Sequence, residues 1–581
     1  VNLSSSPVSS LSLQIAIAQI NPVVGAFEQN LGKIKEAYER ACSLQARLLL
    51  TPELGICGYP PHDLVDRPEM FERNEKALEE LTRLTAGKKC ALLVGHIARN
   101  PSHVGRSAQN VVSVLENGKE VFRQAKTLLP TYDVLDEARY FEPASEVRLW
   151  SCDGHRIGVA ICEDLWANDP LFGRRLYGKN PVDTYRDLDA SLILSLSASP
   201  YEWGKRLRRE KIHQEIARSL QVPLVYINQM GATDEILFDG GSFVLNAEGQ
   251  LAGHLPFFET AFGIVKIQSP QSCTLEALAQ ASDSKQVEAQ VAEVPTSEMD
   301  ILARGLVVGI REYFQRTKFK TAVIGLSGGI DSAVVAALAV KALGPKNLLG
   351  VGMPSQYSSS HSLSDAELLA RNLGIPFEVR PIKFMFSTAS RELSENRGQL
   401  APLAQENLQS RLRGLILMTL SNHYSALVLT TGNKSELAMG YGTLYGDMVG
   451  ALAPIGDLFK TRVYELARYI NQEWGSLIPE NTITKAPSAE LKPGQVDQDS
   501  LPPYEVLDEI LTAYLENGMR AVDLEAQFQG QFDQSKYGNI RDILKRLEIN
   551  EFKRRQAAPV LKISPKAFGV GRRLPIAKTW E

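Results

Sequence analysis

The segment LSGGIDS, residues 326–332, is where residue types and spacing most directly imply chemistry. It follows an apolar run, TAVIGL at 321–326, and opens an alternating small and apolar stretch over 330–343 that predicts a helix. Strand, glycine turn and helix start are thereby juxtaposed. Gly328 and Gly329 lack Cβ atoms, so the turn can aim backbone N–H groups into a concavity, where they and the helix dipole attract phosphate oxygens. Ser327 and Ser332 add hydroxyl donors. Asp331 should repel such a ligand unless a divalent cation sits between carboxylate and phosphate, so Mg2+ is expected there. The usual P-loop carries a Lys followed by Ser or Thr after its last glycine; this turn has no such Lys and is a different phosphate loop.

A second set of groups lies in the first half. Cys162 ends the apolar run IGVAIC and is followed by Glu163 and Asp164, an acidic setting that raises a thiol pKa. A nucleophile there needs a base or a cation. Glu53 in LLLTPELGICGYP and Lys126 in AKTLLPTYD each follow an apolar run. Placed at strand ends, the three can converge, the Glu taking the thiol proton while the Lys favours the thiolate and the oxyanion that follows. The residue types alone leave Cys162 open between nucleophile and buried structural thiol, and Glu53 and Lys126 open between site and solvated strand ends. Further on, Glu436 offers a second carboxylate to Mg2+, and Lys460 and Lys553 offer point charges for phosphates; a helix-face Glu and solvated lysines are the alternative.

Positioning these groups calls for two α/β units. The first half alternates β-rich runs, at 13–20, 47–51, 91–97, 192–196 and 224–228, with helix-like patterns, and closes with 262–267. Asn117-Gly118 and Asp153-Gly154 are hairpin signals, so antiparallel pairing is expected too. Residues 268–294 are small and polar with little β character and read as a connector. A second unit starts near Thr296, with strands at 321–326, 347–352, 376–382 and 426–431 separated by helical stretches. That is the pattern of a doubly wound parallel sheet, whose ligands bind beyond the C-terminal strand ends.

Bulk properties narrow the classes. At 581 residues the chain exceeds one hydrophobic core. A net charge of −4 offers no basic excess for nucleic acid. The N-terminal run lacks the basic start of a secretory signal, and no stretch approaches the roughly 18 apolar residues that span a bilayer, so the expected home is the cytoplasm. The six cysteines show no CxxC spacing, which argues against a zinc site or a disulfide framework.

LSGGIDS resembles the pyrophosphatase loop of the N-type ATP pyrophosphatases, enzymes that transfer AMP to a carbonyl oxygen before a nitrogen nucleophile attacks. Residues 1–268 resemble the carbon–nitrogen hydrolase (nitrilase) superfamily in its glutaminase form, through PELGICGYPPHDL, KTLLPTYDVLDEARYF and GVAICEDLW. That resemblance implies an αββα sandwich, with Glu53 as general base, Lys126 as transition-state stabiliser, Cys162 as nucleophile and Glu137 as a supporting glutamate. Tyr132, Ser199 and Lys205 would hold glutamine. Residues 301–581 resemble NAD+ synthetases through MPSQYSSSHSLSDA, ENLQSRLRGLILMTLSN, TTGNKSELAMGYGTLYGDMVGALAPIGDLFKT and FKRRQAAPVLKISPKAFGVGRRLPI.

With 269–300 as linker, the two halves together resemble the glutamine-dependent NAD+ synthetase family. The resemblance implies conversion of deamido-NAD+ (nicotinate adenine dinucleotide), ATP and glutamine to NAD+, AMP, pyrophosphate and glutamate. Gly325, Leu326, Ser327, Gly328, Gly329, Ile330, Asp331 and Ser332 would hold the ATP phosphates, and Thr431 would also contact ATP. Asp331 and Glu436 would hold Mg2+; Asn407, Glu436 and Lys553 would contact deamido-NAD+; Lys460 would neutralise phosphate. A homo-oligomer, an octamer, is implied as well. The rival is another glutamine-fed ligase of the same ATP pyrophosphatase class.

Overall fold

A computed structural model describes residues 12–170, 173–278, 297–394, 398–488, 490–492 and 495–579. The chain divides into two compact units: residues 1–233 with 237–301, and residues 302–581 with 234–236.

In the first unit, strands β1 (Leu13–Gln19), β2 (Leu48–Leu50), β3 (Ala91–Arg99), β4 (Ala108–Glu116) and β5 (Lys119–Ala125) belong to one sheet. β6 (Leu149–Cys152), β7 (His155–Ile161), β8 (Leu192–Ser197) and β9 (Leu224–Asn228) belong to another. β10 (Met230–Thr233) and β11 (Ile236–Asp239) pair separately, while β12 (Phe243–Leu245) and β13 (Leu251–His254) extend the second sheet. β14 (Ala261–Ser269) and β15 (Ser272–Leu278) complete the first, in the order β15-β14-β1-β2-β3-β4-β5. Ile15, Ile17 and Leu93 of one sheet share a buried cluster with Ile157, Val159 and Leu194 of the other, so the sheets stack face to face. Each such side chain contributes roughly 1.5–3 kcal/mol by leaving water.

Helices cover the outer faces. α1 (Phe27–Ser43) buries Phe27, Leu31, Ile34 and Tyr38, the stripe a 3.6-residue period demands, and α2 (Pro68–Leu84) packs beside it. On the second sheet lie α3 (Pro181–Asp187) and α4 (Lys205–Leu220), whose Ile212 and Ile216 meet Ile193 and Phe243. This is the αββα sandwich expected. Both hairpin turns also form as read, with φ of +47° and +77° at Asn117 and Gly118, and +48° and +82° at Asp153 and Gly154.

The connector reading needs correction at its start. Residues 272–278 form β15, antiparallel to β14, with Cys273, Leu275 and Ala277 packed against the sandwich core and Ser272, Thr274 and Glu276 exposed. An edge strand with one wet face needs only weak alternation, and the small polar residues around it hid the pattern. Residues 279–296 lie outside the described residues, and α5 (Glu298–Thr317) follows them.

The second unit holds β16 (Ala322–Gly325), β17 (Leu348–Gly352), β18 (Phe377–Val379) and β19 (Leu427–Leu429), all parallel, in the order β18-β17-β16-β19. The chain winds outward from β16 and then returns to its other side, so the turn after β16 sits at the point where strand order reverses, where doubly wound folds bind ligands. α6 spans Ile330–Leu343, as predicted, and residues 333–339 are all buried, which is why its sequence shows no polar face. Around this sheet lie α7 (Ser360–Leu373), α8 (Lys383–Ser394), α9 (Pro402–Tyr424), α10 (Lys434–Met439) and α11 (Lys460–Glu473).

Gly328 has φ +77°, and a Cβ there would lie 2.3 Å from the Ser362 carbonyl oxygen at the start of α7. Conformation and space both exclude a side chain. Gly328→Ala is expected to destabilise this unit by about 2 kcal/mol or more, read as a lower urea midpoint for its unfolding.

Candidate active sites

Three strand ends build the first site. β2 runs into Glu53, β5 into Lys126 and β7 into Cys162. The Glu53 loop lies directly on β3, which is possible because Gly95 has no Cβ; one there would sit 2.4 Å from the Leu54 nitrogen. Glu53 and Lys126 are fully buried. Lys126 Nζ donates to Glu53 Oε1 and to Glu137 Oε1, each at 2.7 Å. Glu53 Oε1 also accepts from Asn110 Nδ2 at 2.7 Å, its Oε2 accepts from the Ala198 amide at 2.9 Å, and Tyr59 donates its hydroxyl to Glu137 Oε1 at 2.8 Å.

Burial works against the Lys126 charge, but Glu137 and then Glu53 overcome it and hold the ammonium well above its usual pKa. Burial pushes Glu137 up to about 7, an effect Lys126 reduces and Glu53 increases. Burial first, and then the Glu53 charge, raise the Cys162 thiol above its ordinary range, with Lys126 offsetting only part. Cys162 opens a short 3-10 turn, Cys162–Leu165, with φ +43°. A left-handed conformation costs a residue with a side chain about 1–2 kcal/mol, and such strain gathers at functional turns.

Beside the thiol, Glu163 accepts the Tyr132 hydroxyl at 3.0 Å and the Tyr177 hydroxyl at 2.7 Å; burial pushes it up to about 7 against those hydrogen bonds. Ser199, just past β8, donates its amide to Asn228 Oδ1 at 2.8 Å. Lys205 opens α4, donates to the Pro200 carbonyl at 3.0 Å and stands 5.4 Å over the Trp166 ring. Sequence reasoning missed Asn110, Tyr59, Tyr177 and the Ala198 amide. Only Asn110 left a signal, a polar residue within the apolar strand AQNVVSVLE.

The second site surrounds the turn after β16. A cavity of ≈ 330 Å³ is lined by Ser327, Gly329, Asp331, Thr431, Glu436 and Lys460. Gly325, Leu326, Ile330 and Ser332 line it too, while Gly328 turns the chain behind them. Asn433 caps α10, accepting the Glu436 amide at 3.0 Å, and donates Nδ2 to Asp331 Oδ1 at 3.0 Å, so one side chain holds the Asp331 carboxylate and the backbone of Glu436. Lys460 Nζ lies 2.5 Å from Asp331 Oδ2 and 3.2 Å from Glu436 Oε1. Burial raises Glu436 to about 8, a shift that Lys460 reduces and Asp331 increases.

One ammonium reaching both carboxylates demonstrates that their oxygens converge on a single point. Two hard anionic donors converging beside the glycine turn fit Mg2+, which takes one or two carboxylates and completes its shell with phosphate and water. Asn407 and Lys553 fall outside the cavity wall. Asn407 Oδ1 accepts from Thr443 Oγ1 at 2.8 Å, and Lys553 Nζ donates to the Gly440 and Gly442 carbonyls at 2.7 and 2.9 Å. Both brace the segment that brings Tyr441, Gly442 and Asp447 to the cavity.

Comparison with known proteins agrees with this division. Residues 14–273 match the carbon-nitrogen hydrolase family and residues 302–557 the NAD synthase family. A glutamine-dependent NAD(+) synthetase of Synechocystis sp. is 43% identical over 574 residues, covering 97% of this chain and 99% of the relative. The chain belongs to the glutamine-dependent NAD+ synthetase family. A namesake from Thermotoga maritima is 39% identical, with 98% of this chain and 99% of the relative covered. The structure of the Acinetobacter baumannii family member in complex with ADP superposes with a TM-score of 0.73 at 35% identity, covering 97% of this chain and 98% of that one. Membership sets aside the rival ligase of the same ATP class. Among the described residues no helix is long and apolar enough to cross a membrane.

A thiol held above its usual pKa stays protonated at neutral pH. Alkylation of Cys162 by iodoacetamide is therefore expected to be slow at pH 7 and to keep rising through pH 8–9, where an ordinary thiol of pKa ≈ 8.5 approaches its plateau. Peptide mass spectrometry against pH reads this out.

Proposed function

We propose that the protein makes NAD+ from deamido-NAD+, ATP and glutamine, releasing AMP, pyrophosphate and glutamate. The observation that carries this reading is the pairing, on one chain, of a buried Glu53–Lys126–Glu137 cluster beside a thiol with a phosphate turn flanked by two converging carboxylates.

In the first unit Cys162 Sγ attacks the glutamine amide carbon while Glu53 takes the thiol proton. Transfer in concert with attack suits a thiol whose pKa burial and the Glu53 charge raise. Lys126, with two N–H bonds committed to Glu53 and Glu137, keeps its charge and turns its third donor toward the developing oxyanion. Collapse expels the amide nitrogen, which takes the proton from Glu53 and leaves as ammonia. Water then hydrolyses the thioester, with Glu53 again as base, to give glutamate. Glu163, held by Tyr132 and Tyr177, is the acidic group suited to the α-ammonium of glutamine, and Lys205 the basic group suited to its carboxylate.

In the second unit a carboxylate oxygen of deamido-NAD+ attacks the α-phosphorus of ATP and displaces pyrophosphate. Ammonia attacks the resulting acyl-adenylate, and AMP leaves. Asp331 and Glu436 would hold Mg2+, which when bound neutralises charge on the triphosphate and on the departing pyrophosphate. Residues 325–332 and Thr431 orient the nucleotide, Lys460 supplies positive charge at its phosphates, and Asn407, Glu436 and Lys553 shape the deamido-NAD+ side. Adenylation is needed because ammonia cannot displace oxide from a carboxylate. We further read the enzyme as a cytoplasmic homo-oligomer, an octamer on the resemblance of its sequence, which light scattering measures.

Cys162→Ala is expected to lower glutamine-driven NAD+ synthesis by about 10³-fold or more and to spare synthesis from ammonium salt. Loss of both would mean that the thiol is structural. Asp331→Asn should abolish AMP formation with either nitrogen donor while glutamine-to-glutamate conversion remains measurable. Glu163→Gln should raise the KM for glutamine by about 10-fold or more, the worth of one charge-assisted contact.

A further inference from the structure

The proposed mechanism requires Lys126 and Cys162 to keep a fixed separation, yet they sit on loops of two different sheets. One side chain joins those loops. Asp164, 1% exposed, accepts the Thr127 and Leu128 amides on Oδ1, each at 2.9 Å, and the Ile161 amide on Oδ2 at 3.1 Å. Thr127 and Leu128 are the residues immediately after Lys126, and Ile161 is the residue immediately before Cys162. We propose that Asp164 is a positioning residue for the glutaminase reaction, its carboxylate clasping the lysine loop to the nucleophile turn so that ammonium and thiol hold their productive spacing. The inference rests on the glutaminase reading of Cys162 and Lys126.

Three further observations favour it. Lys126 is held from the other side as well, its amide donating to the Asn110 carbonyl at 2.8 Å and its carbonyl accepting the Ala144 amide at 2.8 Å, so the Asp164 contacts complete a backbone clamp around one residue. Cys162 keeps its φ of +43° only while its neighbours overdetermine it, and Asp164 grips the chain directly ahead of it. The pattern also needs a carboxylate. An amide has a single acceptor oxygen; whichever way Asn were turned, its NH2 would face a backbone N–H on one side of the clasp. A displacement of about 1 Å between reacting groups costs on the order of 100-fold in rate.

Asp164→Asn in the full-length enzyme tests this. Glutamine hydrolysis should fall about 100-fold in kcat with KM for glutamine little changed, while ammonium-driven synthesis stays at the wild-type rate. A role in folding alone would lower the thermal midpoint and leave kcat intact below it, and that result overturns the proposal. So does a parallel loss of glutamine-driven and ammonium-driven rates. If Asp164→Asn does not fold, Asp164→Glu retains both oxygens but displaces them by one methylene, and a wild-type kcat in that variant equally overturns the clasp. Should Cys162→Ala retain glutamine hydrolysis, the glutaminase reading itself fails; if it loses hydrolysis while a folded Asp164 variant keeps it, the clasp alone fails.

Discussion

A single ammonium shared by two carboxylates, all three side chains buried, is the constraint on which the first unit is organised. Lys126 lies 2.7 Å from both Glu53 and Glu137, and neither it nor Glu53 has meaningful exposure. Desolvating three charged groups costs several kcal/mol each unless every oxygen finds a donor. Asn110 and the Ala198 amide donate to Glu53 and Tyr59 donates to Glu137 Oε1, each from a different loop or strand. The buried Glu137 Oε2 finds no donor among the described residues, in keeping with a carboxyl raised to about 7. The loops around the thiol are thus tied to one charge cluster, whose Glu53 carboxylate adds to the larger effect of burial in raising the thiol while Lys126 offsets part of it.

The second unit repeats the arrangement with one difference. Lys460 again sits between two carboxylates, Asp331 and Glu436, but those side chains keep 17% and 23% of their exposure and face an open cavity of ≈ 330 Å³. A closed cluster suits proton transfer, because removing water sharpens every pairwise interaction. An open one suits exchange of charge with an incoming polyanion, because its members can change partners at modest cost. The contrast in access, rather than in residue type, separates the two sites and matches the proposed division between thiol chemistry and triphosphate binding.

Legibility in the sequence followed how local each feature is. α6 was readable to its ends because the strand, glycine turn and helix are consecutive, and both hairpins because Asn-Gly and Asp-Gly demand φ > 0. Glu53, Lys126 and Cys162 were readable as strand-end residues, since chemistry-bearing groups at the ends of apolar runs stand out even unaligned. β15 was not, because an edge strand in small polar residues has half the usual hydrophobic signal. Nor were the contacts that make the groups a site. The Ala198 amide on Glu53 spans 145 positions and the Lys460 pairing with Asp331 spans 129, and nothing in local composition encodes such separations.

On the proposed mechanism the same proton inventory fixes the form in which nitrogen leaves the first site. Glu53 has one proton to give, the one it took from the thiol, and that proton converts the departing amide nitrogen to neutral ammonia. A second would be needed for ammonium. Lys126 does not supply it, because the two carboxylates hold its pKa well above the usual value. Glu137 and Glu163, both raised to about 7 by burial, titrate near neutrality, but cleavage of the C–N bond itself calls for only the one proton that Glu53 returns. The proton balance of the step therefore yields the free base, the only form with a lone pair able to attack an acyl-adenylate. A cleavage step that returns to nitrogen only the proton taken from the thiol is matched to a partner reaction that needs an unprotonated nucleophile.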